Sequence, residues 1–166
     1  AAFSQHGTVV LTGTDTVSYR PNPDFYGTDT VSFVISDGLG GVTIEEQAVT
    51  VTSVDDAPEQ VTNARANVTE GGTVTLTLGN LLADDTDTTA SSLVYTVTAL
   101  PANGTISLNG TPLSVNGTFT QADLNAGKVT YTHTGGESTT DSLQFTVSDG
   151  TTTLPAATFA INVNAQ

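Results

Sequence analysis

The chain has 166 residues, with 17 Asp and Glu against 3 Lys and Arg and a formal net charge of −14 at pH 7. That balance excludes nucleic acid and anionic membrane surfaces as partners, because phosphate would be repelled, and it makes cations the natural counter-species. With no Cys, no Met and no Trp, and with Thr and Val abundant, disulfide scaffolds, thiolate metal sites and helical bundles are excluded as well.

Taken in chain order, the first block runs from Ala1 to Val54 and starts in what reads as the middle of a domain, so the chain looks like a piece of something longer. His6-Gly7-Thr8-Val9-Val10-Leu11 lines up with Asn103-Gly104-Thr105-Ile106-Ser107-Leu108, and Thr30 to Gly38 lines up with Ser142 to Gly150. This is an internal repeat. Nothing in the first block corresponds to Gln60 through Ala102, so residues 1–54 form the C-terminal half of a module. A half-sandwich leaves strand edges and a core face open. The expectation is that another chain, a symmetry mate exchanging strands, or a fragment removed by proteolysis supplies the missing half.

Residues 55–58 form an acidic linker, and residues 59–166 read as a complete module. Period-2 alternation recurs over Thr73–Leu78, Leu93–Leu100, Gly104–Leu108, Lys128–Thr134, Ser142–Ser148 and Thr158–Val163, the signature of half-buried strands. Pointing Val74/Leu76/Leu78, Leu93/Tyr95/Val97, Val129/Tyr131, Leu143/Phe145/Val147 and Phe159/Ile161/Val163 inward leaves mostly Thr, Ser and Asn outward. The fold class is all-β, an Ig-like antiparallel β-sandwich, one complete module plus a partial one. Asn-Gly at 103–104, 109–110 and 116–117 predicts hairpin turns with positive φ; the glycosylation sequons that these and Asn67-Val68-Thr69 spell are set aside in favour of the turn reading. One helical turn is expected at Gln121–Gly127, ending at the glycine.

The carboxylates cluster. Asp55 and Asp56 stand between the blocks, and Asp84, Asp85 and Asp87 share one loop. Crowding like charges costs free energy unless a cation compensates, and calcium fits because it takes six to eight oxygens in flexible geometry. In a seven-stranded sandwich the loops carrying Asp84/Asp85/Asp87 and Asp149 lie at the end where the linker enters. Asp24 and Asp29 of the first block are expected to face the same junction, which gives one inter-module Ca2+ site. Glu70, Glu137 and Asp141 would form half of a second site at the far end, shared with a neighbouring repeat.

Leu82-Ala83-Asp84-Asp85-Thr86-Asp87, Leu93-Val94-Tyr95-Thr96-Val97, Leu100-Pro101-Ala102-Asn103-Gly104-Thr105-Ile106, Phe119 to Leu124, Gly127 to His133 and Ser148-Asp149-Gly150 together resemble the chondroitin sulfate proteoglycan (CSPG) type of cadherin-like repeat. The resemblance runs through nearly all of residues 58–166. Pro21-Asn22-Pro23-Asp24-Phe25-Tyr26-Gly27-Thr28-Asp29 and Ser36 to Gly41 resemble the related bacterial cadherin-like tandem repeat of large surface adhesins, RTX adhesins among them. Asp85-x-Asp87 and Val54-Asp55-Asp56-Ala57-Pro58 resemble the cadherin calcium motifs. The resemblance implies a non-catalytic, calcium-stiffened extender module on a secreted or bacterial cell-surface protein, with neighbouring repeats as partners and no membrane insertion.

Other constellations carry less. His133, Asp141 and a serine could compose a triad on paper, without a nucleophile elbow. Glu45 and Glu46 are strand neighbours and point to opposite faces, unlike a glycosidase pair. Lys128 follows a glycine at a strand start and is expected to be exposed. An alternative function is a module binding carbohydrate or protein, for which Tyr26 is the exposed aromatic candidate, or homotypic assembly through open strand edges.

Overall fold

The computed structural model describes every residue except Asp15. The chain forms two compact units, Ala1–Val54 and Asp55–Gln166.

Unit 1 contains β1 (Ala2–Phe3), β2 (Gly7–Leu11), β3 (Val17–Pro21), β4 (Gly27–Ser36) and β5 (Val42–Val51). β2 pairs with β3, and a three-stranded sheet has the order β1-β4-β5. The long β4–β5 hairpin stays in register from Gly27↔Val51 to Ser36↔Val42. Its turn is closed by Asp37 Oδ1, which accepts from the Leu39 and Gly41 amides at 2.8 and 2.9 Å. Val31 is the one buried apolar residue of this unit among the described residues, while Phe3, Leu11, Ile35 and Ile44 are exposed.

Unit 2 contains β6 (Glu59–Asn63), β7 (Ala66–Thr69), β8 (Thr73–Thr75), β9 (Leu81–Asp84), β10 (Val94–Ala99), β11 (Gly104–Leu108), β12 (Thr111–Pro112), β13 (Thr118–Thr120), β14 (Val129–His133), β15 (Thr140–Ser148) and β16 (Ala157–Asn164). Two sheets, β13-β10-β15-β16-β7 and β12-β11-β14-β8, enclose the core, and β6 pairs with β9. All five inward triplets and pairs read from the sequence are buried or packed on the core, with Leu93, Tyr95, Val97, Val129, Tyr131, Phe145 and Phe159 at 0% exposure. The sandwich is antiparallel except at one place: β7 runs parallel to β16, Ala66 opposite Ile161 and Val68 opposite Val163.

The one α-helix among the described residues, α1 (Gln121–Asn125), sits where the sequence places it. Thr120 caps it reciprocally with Asp123, and Gly127 follows at φ 71°, a left-handed conformation that glycine adopts without strain. The Asn-Gly turns divide. Asn109 and Gly110 both have positive φ and close β11 to β12, as a type I′ hairpin requires. Asn116 is left-handed, but neither Asn103 nor Gly104 has positive φ. The glycine at 104 answers to space instead, because a Cβ there would meet the ring of Tyr131.

The internal repeat is visible residue by residue. In unit 2 the buried Asp141 accepts from the Tyr131 hydroxyl, the Asn103 amide and the Ser142 amide. In unit 1 Asp29 accepts from the Tyr19 hydroxyl, the His6 amide and the Thr30 amide. A Cβ on Gly7 would meet Tyr19 as one on Gly104 would meet Tyr131. Lys128 lies at a strand start, half-exposed and 3.8 Å from Asp123.

Candidate functional site

Five acids gather at one end of unit 2, where the chain enters it. Asp85 and Asp87 follow β9, and the loop folds there because Asp85 Oδ1 accepts from the amides of Asp87 and Thr88 at 3.0 and 2.7 Å. Asp149 makes the same kind of turn after β15, its Oδ1 accepting from the Thr151 and Thr152 amides, both at 2.7 Å. These are local Asx turns, favoured because a short carboxylate reaches the backbone two or three residues on. The linker is tied to both loops. The Asp56 amide donates to Asp87 Oδ2 at 3.1 Å, and the Thr152 hydroxyl donates to Asp55 Oδ2 at 3.0 Å.

Each of the three loop acids spends one oxygen on the backbone and leaves the other without a donor. Asp85 Oδ2, Asp87 Oδ1 and Asp149 Oδ2 are buried atoms with no hydrogen-bond partner. A buried polar oxygen without a partner is costly, and an ionised one more so. The contact with the Asp85 carboxyl, joined by burial and by the charges of Asp85 and Asp55, pushes the Asp87 carboxyl above its ordinary value against the opposing Asp56 amide. Burial works the same way on Asp85, but the Thr88 and Asp87 amides outweigh it and hold that carboxyl low. The two carboxyls therefore share a shortage of positive charge that either a proton or a cation can relieve.

Asp84 is exposed, and its Oδ1 accepts from the Asp85 amide at 3.0 Å. Glu59, which the sequence reading passed over, stands directly opposite Asp84 in the β6–β9 pair. Like charges facing each other across a ladder oppose pairing. A shallow depression of about 220 Å³ is lined there by Ala57, Glu59, Asp84, Asp85 and Thr86. The signal for Glu59 was available only through register, since in the sequence it sits beyond the Ala-Pro that ends the linker. Among the described residues, no three acidic or imidazole side chains converge closely enough to hold an ion as they stand.

The remaining acids are placed differently. Asp29 is buried and occupied by the tyrosine and amides already described, with its carboxyl held below its ordinary value: burial opposes ionisation, and the hydrogen bonds from Tyr19, Thr30 and His6 prevail. Asp141 is similarly engaged through both oxygens, also by the Ala102 amide at 3.0 Å. Asp24 is exposed in a left-handed turn at φ 62°. Glu137 is exposed and Glu70 half-buried.

His133 does not form a triad. Its Nδ1 accepts from the Gly71 and Gly135 amides at 3.2 and 3.1 Å, which leaves Nε2 to donate to Ser138 Oγ at 2.7 Å. Asp141, the acid such a triad would need, is bonded to Tyr131 instead. The histidine is a clamp between two loops.

Comparison with known proteins supports this picture at the level of family. Residues 58–163 match the model of the cadherin-like family, and residues 1–52 match a bacterial Ig domain. The chain is 41% identical over 125 residues to the extracellular matrix organizing protein FRAS1 of Mus musculus, covering 74% of this chain and 3% of that protein. It is 36% identical over 120 residues to chondroitin sulfate proteoglycan 4 of Homo sapiens, covering 71% of this chain and 5% of that protein. The chain thus spans a small fraction of these curated relatives. Its fold resembles that of the EC1-2 segment of human mucin-like protocadherin, with a TM-score of 0.61, 17% sequence identity, and coverage of 99% of this chain and 85% of that one. The sandwich, its paired strands and the residues that match over 58–163 make this chain a member of the cadherin-like family.

Proposed function

We propose that unit 2 is a calcium-binding structural module of an extracellular adhesion or matrix protein, and that it catalyses nothing. One observation carries the reading: three buried carboxylate oxygens, on Asp85, Asp87 and Asp149, have no donor. A hard cation with oxygen ligands and flexible coordination answers that deficit, and no thiolate is present to favour a softer metal. Asp85, Asp87 and Asp149 would hold the ion, with Asp55 and Asp56 drawn in from the linker; Asp29 and Asp141 are left out because donors of their own units occupy them. The ion would supply charge compensation, and its binding would fix the direction in which the linker enters unit 2. The extracellular setting is supported by the matrix and proteoglycan relatives, and a secreted or surface adhesin of bacteria by the Ig-domain match over residues 1–52.

A thermal melt in excess chelator, repeated in millimolar calcium and in millimolar magnesium, tests this. Binding to the folded state alone stabilises by RT ln(1 + [L]/Kd), about 2.7 kcal/mol at a hundredfold excess over Kd. Calcium should raise the melting temperature well above the effect of magnesium, and the double variant Asp85→Asn, Asp87→Asn should lose the response. An equal response in that variant overturns the ligand assignment, and no response in the native chain overturns the function.

A further inference from the structure

One tripeptide, Asn-Gly-Thr, stands in unit 2 at 103–105, 109–111 and 116–118. In Asn-Gly a carboxamide and the next backbone nitrogen can meet and react, because glycine has no side chain to keep them apart. The three copies share their local sequence, so the fold decides which of them reacts. Asn103 is held from every side: its amide donates to Asp141 Oδ2 at 3.0 Å, its carbonyl accepts from the Thr134 amide and hydroxyl at 3.0 and 2.9 Å, and its Nδ2 donates to the Thr140 carbonyl at 3.4 Å. Asn116 is exposed, but the Gly117 amide donates to the Ser114 carbonyl at 2.8 Å and the Gly117 carbonyl accepts from the Val97 amide at 2.9 Å. A nitrogen so engaged is not free to attack. Space is short at both places, since a Cβ on Gly104 would meet the Tyr131 ring and one on Gly117 the Ser114 carbonyl oxygen and Leu113.

Asn109 and Gly110 differ on each count. Both are exposed, and among the described residues neither the Asn109 side chain nor the Gly110 amide has a hydrogen-bond partner. A Cβ on Gly110 would meet nothing within 4 Å. The Asn109 amide is held by the Lys128 carbonyl at 2.9 Å, which leaves the side chain free. The turn leads into β12, a two-residue strand at the edge of its sheet with both residues exposed, so it opens at the loss of few contacts.

We propose that Asn109 is a self-modifying site, the place at which this chain deamidates through a cyclic imide formed with Gly110. The Gly110 nitrogen loses its proton and bonds to Asn109 Cγ, the bond from Cγ to Nδ2 breaks, and ammonia leaves. Water then opens the five-membered ring at either carbonyl. Breaking the bond between Cγ and the Gly110 nitrogen gives aspartate, and breaking the bond between the backbone carbonyl carbon and that nitrogen gives isoaspartate. One water is consumed and one ammonia released, with no oxidant or reductant. Either product adds one negative charge to a chain already at −14. The iso form also routes the main chain through Cβ, and the added carbon does not fit a type I′ turn closed by two residues at φ 51° and 78°. β12 then loses its pairing with β11 at Ser107↔Pro112 and Leu108↔Thr111. Asp37-Gly38 and Asp149-Gly150 do not compete, because a carboxylate is a poorer electrophile than a carboxamide and each glycine amide donates to a serine hydroxyl, Ser36 at 3.3 Å and Ser148 at 3.0 Å.

The native chain serves as its own test. It is incubated at neutral pH, folded in one series and unfolded in urea in another, and conversion of each tripeptide is followed by peptide mass spectrometry with isoaspartate resolved from aspartate. In the folded chain Asn109 should convert at least tenfold faster than Asn103 and Asn116, with isoaspartate among its products, and in urea the three rates should converge. Equal rates in the folded chain, a faster Asn103 or Asn116, or the same ranking in urea overturns the proposal. So does a product at 109 that is aspartate alone, the mark of direct hydrolysis without the ring.

Discussion

The hydroxyl of Tyr131 lies 2.6 Å from Oδ2 of Asp141, ten residues further on, and in the other unit Tyr19 and Asp29 repeat the pair at the same spacing and 2.9 Å. Each carboxylate collects a phenol and at least two amides, so it ties two strands to the loop that precedes them. Burial, then the neighbouring Asp141, pushes the Tyr131 hydroxyl far above its ordinary value, which keeps it a donor at any pH the fold survives.

Tyr131→Phe should therefore destabilise unit 2 by about 1.5–3 kcal/mol, the worth of a hydrogen bond to a charged group. Asp141→Ala should cost more, because the Ala102, Asn103 and Ser142 amides and the phenol all lose their acceptor. Urea unfolding of the two variants checks the order. Equal losses would show that the amides find other partners.

Gly104→Ala should cost about 1–3 kcal/mol through overpacking, since the Tyr131 ring is fully buried and has nowhere to move. Gly7→Ala places the same Cβ against the half-buried Tyr19 and also against the Arg20 carbonyl oxygen, a backbone atom that cannot turn aside. Thermal melts of both variants should fall below that of the native chain.

Gln121 is 4% exposed and makes three bonds: its Oε1 accepts from the Ala83 amide and the Tyr95 hydroxyl, and its Nε2 donates to the Ala83 carbonyl. Gln121→Leu leaves all three partners buried and unmet, and should cost about 2–4 kcal/mol in chemical denaturation. Burial raises the Tyr95 hydroxyl to about 12, so this loss should not depend on pH below that range.

The acid loop predicts a pH dependence of two signs. Asp87 has a raised folded-state value, so without a cation its protonation adds stability as pH falls toward the carboxylate range. Asp85 has a lowered value, so its contribution is present above the unfolded carboxylate value and is lost as pH falls through the folded one. In chelator, Asp87→Asn should remove the first effect and keep the second. Urea midpoints between pH 6 and 3 separate them, and an unchanged profile would contradict the coupling.

Much of this was legible in the sequence where one physical rule dominates. Strict alternation gave β11 at its observed bounds and the inward positions of β10, β14, β15 and β16, because burial on one face leaves no other register. β7 and β9 were not read as strands. Ala66/Val68 and Leu81/Ala83 are short and their partners are remote, so only tertiary pairing reveals them. The acid cluster at Asp55, Asp56, Asp85, Asp87 and Asp149 was visible as charge density and loop position. That Asp29 and Asp141 turn inward to tyrosines was not, since an acid after a loop reads alike whether it faces solvent or a buried phenol. Glu59 joined the cluster only through cross-strand register.

The parallel pairing of β7 with β16 has a mechanical side. β7 lies near the start of unit 2 and β16 near its end, and Ala66 faces Ile161 while Thr69 faces Asn164. Tension along the polypeptide pulls the two strands in opposite senses along their common axis, from the Ala66 end of one and the Asn164 end of the other. The ladder bonds between them, with the adjoining Glu70 amide to Asn164 carbonyl bond of 2.9 Å, are then strained together in shear instead of parting one after another. A repeat joined this way resists extension through its end strands, whatever sits in the acid loop.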